Sequence, residues 1–193
     1  FLLLGIAYSL NSKHKEAIKY LRRSIQLSPN DLEAKMELAN AYQAASLFDK
    51  SESEYLDIKA LDENNLQLLY NLAKLKAKMG NVDEAIQLYR NVIALDENNI
   101  GALNNLGNLI YLEDDIEEAF MCLNKAITLS DNKSRFLYNL ARKQAEFGYW
   151  DEAEENFKKI FHLDPTFGWA ISNYADLLRN TARIEEAITF YQK

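Results

Sequence analysis

The hexapeptide ALDENN occurs twice, at Ala60–Asn65 and at Ala94–Asn99, so its copies start 34 residues apart. The same interval organises the sequence on either side. Ala17, Ala85, Ala119, Ala153 and Ala187 fall on one 34-residue comb, with Ser51 at the remaining tooth. The two prolines, Pro29 and Pro165, stand four periods apart, Gly80 and Gly148 two, and Gly5 and Gly107 three. Inside a period the apolar residues take helical spacing. Leu103, Leu106, Gly107 and Ile110 fall at i, i+3, i+4 and i+7, which predicts a first helix over about Ile100–Leu112. Ile116, Ala119, Phe120, Leu123, Ala126 and Ile127 predict a second over about Ile116–Leu129. The polar turn Glu113–Asp114–Asp115 is short enough to force an antiparallel return, and Asp115 or Asp114 is placed to cap the second helix.

Aligning the periods gives columns. One first-helix column reads Gly5, Ala39, Ala73, Gly107, Ala141, Ala175, and the comb of Ala and Ser is its counterpart on the second helices. Between them stand large residues: Leu4, Leu38, Leu72, Leu106, Leu140 and Tyr174 on one side, Leu21, Tyr55, Tyr89, Leu123, Phe157 and Tyr191 on the other. Small holes facing large knobs at every period let helix backbones approach closely and fill a stacked core.

These columns resemble the tetratricopeptide repeat family, whose signature is a large residue, Leu-Gly or Leu-Ala, an aromatic, and later Ala, an aromatic, Ala and Pro. The fourth unit carries Leu103, Leu106-Gly107, Ala119, Leu123 and Ala126, and the first carries Phe1, Leu4-Gly5, Tyr8, Ala17, Leu21 and Pro29. Lys35 departs from the pattern, as do Glu63, Glu97 and Asp131 at the closing Pro. The resemblance implies an all-α, right-handed superhelical solenoid of antiparallel helix pairs. We expect a single array over 1–193 of about six units, 1–31, 32–65, 66–99, 100–133, 134–167 and 168–193, truncated at both ends, with neighbouring repeats or subunits beyond them.

Composition narrows the function. The chain has 193 residues, 48% hydrophobic and 26% charged, with formal net charge −7. That composition excludes a disordered chain or a disulfide framework, and a net acidic chain is a poor general ligand for nucleic acid or anionic membrane. No apolar run approaches the ~20 residues that span a bilayer. A lone cysteine, Cys122, leans mildly toward a reducing compartment, so a cytoplasmic location is favoured. His14 lies in a packing column with Phe48, Val82, Ile116, Trp150 and Ile184, and His162 suits the end of a second helix. No phosphate loop, nucleophile motif, metal set or cofactor motif is visible, so we expect no catalytic residue within this chain.

The informative surface is the one the core leaves unused. In stacks of this family the first helices line a concave groove, and the residue before the conserved Leu points into it. That column reads Leu3, Glu37, Asn71, Asn105, Asn139, Asn173. A primary amide carries donor and acceptor side by side and can pair with the backbone of an extended peptide whatever its side chains. Repeats ~10 Å apart match every third residue of a strand rising ~3.3 Å per residue. The column resembles the asparagine ladder of the O-linked N-acetylglucosamine transferase family. Its other reading is a solvated row, or one bonded within the protein. Asn40, Lys74, Asn108, Arg142 and Asp176 lie one turn on, with Lys78, Arg135 and Arg179 on the same side, opposed by Glu33, Glu37 and Glu146. Tyr70, Tyr111, Tyr138 and Trp169 also take inner positions, either as anchors for a ligand or as packing between first helices. The chaperone-tail clamp of the family is not expected, because Tyr70 and Asn139 stand where its cations belong.

The expected function is a protein-interaction scaffold that holds an extended, somewhat acidic segment in its groove. Asn71, Asn105, Asn139 and Asn173 pair with the segment's backbone, and Lys74, Arg135 and Arg142 select its acidic side chains. The alternatives are the substrate-recruiting array of a multidomain enzyme such as a glycosyltransferase, and an architectural subunit of a large assembly.

Overall fold

The computed structural model describes residues 1–110 and 115–192. Among them are twelve α-helices and no strand: α1 Leu2–Leu10, α2 His14–Leu27, α3 Leu32–Ala44, α4 Phe48–Lys59, α5 Leu66–Lys78, α6 Val82–Leu95, α7 Ile100–Leu109, α8 Ile116–Leu129, α9 Lys133–Glu146, α10 Trp150–Leu163, α11 Gly168–Asn180 and α12 Ile184–Tyr191. The helices form antiparallel pairs, α1 with α2 through α11 with α12. The chain divides into two compact units, Phe1–Glu97 and Asn98–Lys193. In the first, α2 packs on α3 and α4 on α5, while α1, α3 and α5 touch in succession. In the second, α8 packs on α9 and α10 on α11, while α7, α9 and α11 touch in succession. Each unit therefore has a layer of first helices and a layer of second helices, which is the all-α solenoid the periodicity implies.

The sequence columns are the core. Ala17, Ala85, Ala119 and Ala153 have no exposed surface, and Leu21, Tyr55, Leu123 and Phe157 are equally enclosed. Ser51 fits the alanine comb because its hydroxyl donates to the Ala39 carbonyl at 2.8 Å, satisfying its one polar group. The glycines of the facing column are obligatory. A Cβ on Gly5 would lie 2.6 Å from Leu21 Cγ, and one on Gly107 would lie 2.6 Å from Leu123 Cγ and 2.9 Å from the Ala119 carbonyl oxygen. Each Gly of this column is aligned with Leu, and each Ala (39, 73, 141, 175) with an aromatic residue (55, 89, 157, 191). Leu branches at Cγ, next to its own backbone, and takes the space of a facing methyl. A flat ring reaches farther out and leaves that space.

The turn inside the five pairs where it is described is also periodic. Ser12, Ser46, Gly80, Gly148 and Ala182 all have positive φ, from 56° to 83°. At each, the preceding helix closes with two reverse hydrogen bonds, such as Gly80 N–H to Ala77 O and Asn81 N–H to Lys76 O. This is a Schellman closure, whose left-handed residue is normally glycine. Only two of the five are glycine. Ala182→Gly is expected to stabilise the fold by ~0.5–1 kcal/mol, because relief of the left-handed strain outweighs the added freedom of the unfolded chain. A denaturation midpoint that does not rise contradicts this.

One expectation is corrected. The first helix of the fourth unit ends at Leu109 rather than Leu112, because Ile110 is extended, with ψ 123°. Asp115 stands at the N-cap of α8 without a side-chain capping bond. Leu112, Glu113, Asp114 and Tyr111, the last named above as an inner aromatic, lie outside the described residues, as does Lys193. The caps that do form are on first helices: Asp31, Asn65 and Asn99 accept from Ala34, Leu68 and Ala102 backbone N–H groups at 3.0–3.1 Å.

Candidate functional site

Within each unit, asparagines of the column lie on its first-helix layer and join successive first helices. Asn71 Nδ2 on α5 donates back to Asn40 Oδ1 on α3 at 3.2 Å and approaches Met36 Sδ at 3.6 Å. Asn139 Nδ2 on α9 donates to Asn104 Oδ1 on α7 at 2.6 Å. Asn173 Nδ2 on α11 donates to the Tyr138 hydroxyl on α9 at 3.1 Å and to the Trp169 carbonyl at 2.9 Å. Met36, Asn104 and Tyr138 are the same repeat position, each 35 residues behind its asparagine. The row is thus an interhelix ladder, the bonded reading named above. An amide has two donor hydrogens and two acceptor lone pairs, and Asn139 spends one donor in this way.

The next row is similarly cross-linked. Asn40 Oδ1 also accepts from the Tyr55 hydroxyl at 2.6 Å. Arg142 Nη2 donates to Asn108 Oδ1 at 2.8 Å, across the 34-residue period, and Nη1 lies 3.7 Å from Glu146. Lys74 sits 5.6 Å from the centroid of the Tyr70 ring. Lys78 and Arg135 are exposed. Asn105 is half-buried on α7.

The second unit's own first-helix layer carries a distinctive feature. Trp169 is 73% exposed at the start of α11. Its ring meets Tyr138 edge-on, centroids 6.4 Å apart, and Tyr138 also packs on Phe167 at 5.6 Å. Asn173 ties Tyr138 and the Trp169 backbone together from the other side. An indole held open to solvent by a packed aromatic and an amide is prepared for contact. Beside it runs a cleft of about 360 Å³ lined by Arg142, Glu146, Trp150, Asn173 and Asp176 among others.

The tetratricopeptide repeat model matches residues 1–31. A second family model, described as a domain of unknown function (DUF7017), matches residues 67–190. The chain belongs to the DUF7017 family and is built of tetratricopeptide repeats. No curated protein matches it in sequence. A tetratricopeptide repeat protein from Parabacteroides merdae superposes with TM-score 0.85 at 17% identity, over 97% of this chain and 75% of that one. Pseudomonas aeruginosa PilF superposes with TM-score 0.79 at 18% identity, over 98% and 86%. A chain of the APC/C hetero-tetramer Cut9–Hcn1 superposes with TM-score 0.78 at 20% identity, over 98% and 38%.

Sequence reasoning missed the ion-pair clusters that join helices within each unit. Lys76 bridges Glu52 and Glu84, each at 2.6 Å, in the first unit. Arg183 bridges Glu154 and Glu186, each at 2.7 Å, in the second. The carboxylates occupy the same two columns three periods apart, while the cations come from different ones, so no single column betrays the motif. Burial alone would raise the Glu154 pKa, but hydrogen bonds from Lys158, Arg183 and Tyr174 outweigh it and hold the carboxyl at about 2. Burial and that same carboxylate push the Tyr174 phenol up to about 12. These tetratricopeptide repeats are therefore pinned by ionised clusters. Among the described residues, no group of three or more His, Cys, Asp or Glu could hold a metal, and no helix is long and apolar enough to cross a membrane.

Proposed function

We propose that this chain is a protein-interaction scaffold that takes an extended partner segment on the first-helix layer of its units. The observation that carries this reading is Trp169, 73% exposed yet braced by Tyr138 and Asn173. A rigid aromatic on a polar surface supplies binding energy at little ordering cost. Asn71, Asn105, Asn139 and Asn173 serve two ends in this reading. They join first helices within each unit, and because Asn71 and Asn173 have spent both donors in doing so, what they offer a ligand backbone is an acceptor for its N–H groups. Arg135 and Lys78, each exposed on the first-helix layer of its own unit, select acidic side chains; Arg142 and Lys74 assist from positions already shared with Asn108 and Tyr70.

A second reading, an architectural subunit, is favoured by the likeness to a chain of the Cut9–Hcn1 hetero-tetramer. The two are separated by capture from a lysate of the source, comparing the wild-type array with Arg135→Ala/Trp169→Ala. Both side chains are exposed, so the variant retains its fold, whereas removing the asparagines also removes interhelix bonds. Groove binding predicts a tenfold or greater loss of the captured partner. Undiminished capture of the same partner rejects groove binding and supports the architectural reading.

A further inference from the structure

The hydrogen-bonding groups around Trp169 are unbalanced toward donors. Its indole N–H makes no bond among the described residues. The Tyr138 hydroxyl accepts from Asn173 Nδ2 at 3.1 Å, and its own proton goes to no described residue. Asn173 uses both donors, on Tyr138 and on the Trp169 carbonyl, and keeps Oδ1 as an acceptor. Two ring-borne donors therefore stand beside one acceptor. The rings of Trp169 and Tyr138 meet at 85°, an apolar corner, and Phe167 packs on Tyr138 at 5.6 Å. Arg135 lies one turn before Tyr138 on α9, exposed and in no ion pair among the described residues. The repeat position of Trp169 is exposed at Glu33 and Arg135 too, although each is followed by another first helix of its own unit. The openness thus belongs to the layer and not to its last helix.

Resting on the scaffold reading above, we propose that this corner takes a proline of a partner segment in polyproline II conformation, with an Asp or Glu three residues away on Arg135. Proline brings a carbonyl and no N–H, so a proline-containing segment has acceptors in excess, the complement of a site with donors in excess. Its pyrrolidine ring is flat, apolar and already rigid, and fits between two rings at a near right angle. A polyproline II backbone makes no internal hydrogen bonds and is preformed, so its carbonyls are open to the indole N–H and the phenol O–H at small ordering cost. The spacing agrees. Residues three apart on such a segment share a face and are ~9.3 Å apart. The helices α9 and α11 touch, and the axes of helices in contact stand ~8–10 Å apart. A proline on Trp169 of α11 thus sets the third residue along over Arg135 of α9, where a carboxylate meets a guanidinium that has no other partner.

The test is fluorescence anisotropy on the whole chain with a labelled nonapeptide, Glu-Ala-Pro-Pro-Ala-Pro-Pro-Ala-Glu, and two counterparts, one with Ala for every Pro and one with Gln for each Glu. The proline peptide is expected to bind about tenfold more tightly than the alanine peptide, which has the same charge. Trp169→Ala is expected to weaken it about tenfold, and Trp169→Phe, which keeps a ring and loses the N–H, about threefold. Arg135→Gln is expected to weaken the Glu peptide about threefold and to leave the Gln peptide unchanged. Met121→Ala, at an exposed side chain of α8, is expected to change nothing. All these side chains are exposed, and circular dichroism checks that each variant is folded. Four results overturn the proposal: no saturable binding of the proline peptide up to ~1 mM, equal binding of the proline and alanine peptides, binding indifferent to Trp169→Ala, or equal weakening of the Glu and Gln peptides by Arg135→Gln. Failure of the scaffold reading is separate. It appears as undiminished lysate capture by Arg135→Ala/Trp169→Ala, whereas a proline preference that fails alone leaves that capture sensitive to the variant.

Discussion

Shortening Lys143 to alanine is expected to destabilise the second unit by ~2–4 kcal/mol. Its column otherwise reads Ala7, Ala41, Leu75, Leu109 and Leu177, yet the lysine is only 2% exposed. Nζ donates to the Ile110 carbonyl at 2.9 Å and lies 3.1 Å from Glu146. Ile110 is where α7 ends, so the ammonium from α9 serves the carbonyl that the interrupted helix leaves behind. Alanine removes both the aliphatic stem and the donor. Lys143→Leu restores volume and the column's usual residue but leaves the carbonyl unmet, so a smaller loss of ~1–3 kcal/mol is expected. Urea denaturation of the three proteins checks this. Equal stability of Lys143→Leu and wild type assigns the residue to packing alone.

Gly107→Ala is expected to cost ~1–2 kcal/mol, although the same change in an open helix interior gains ~1 kcal/mol. The added methyl meets Leu123 Cγ at 2.6 Å and the Ala119 carbonyl at 2.9 Å, and a backbone atom cannot rotate away. Gly168, with nothing within 4 Å of a Cβ, supplies the contrast: Gly168→Ala is expected to be neutral or stabilising. The alignment of Ala with aromatic residues in other repeats makes a further expectation. Leu123→Phe combined with Gly107→Ala is expected to lose less than the two changes summed, a coupling that a double-mutant cycle measures by thermal melting. Additive losses would mean that the Gly–Leu and Ala–aromatic alignment has no packing basis.

The repeat was legible because packing is local and recurrent. A period fixed by stacked helix pairs forces small and large residues into columns, and those columns place Ala17, Ala85, Leu123 and Phe157 in the core without reference to any contact. Chemistry specific to one repeat was not legible. Lys143 breaks an otherwise apolar column, and its partner appears only where Ile110 leaves its helix. Ser12, Ser46 and Ala182 hide a left-handed turn that Gly80 and Gly148 announce. The asparagine row was visible as a row, but its bonds run to Met36, Asn104 and Tyr138, three different side chains at one position, and no residue type marks an acceptor column. Trp169 was visible as an inner aromatic, and the structure adds its exposure and its brace.

The central claim is that the extended partner segment of the scaffold reading meets this protein on a first-helix layer. It is tested most directly by photo-crosslinking in a lysate of the source, with benzoylphenylalanine placed at position 169 or, separately, at position 158 on the exposed side of α10. The account predicts a crosslinked partner from 169 and none from 158. A partner captured from 158 while 169 stays silent contradicts it and moves the interaction to the second-helix layer.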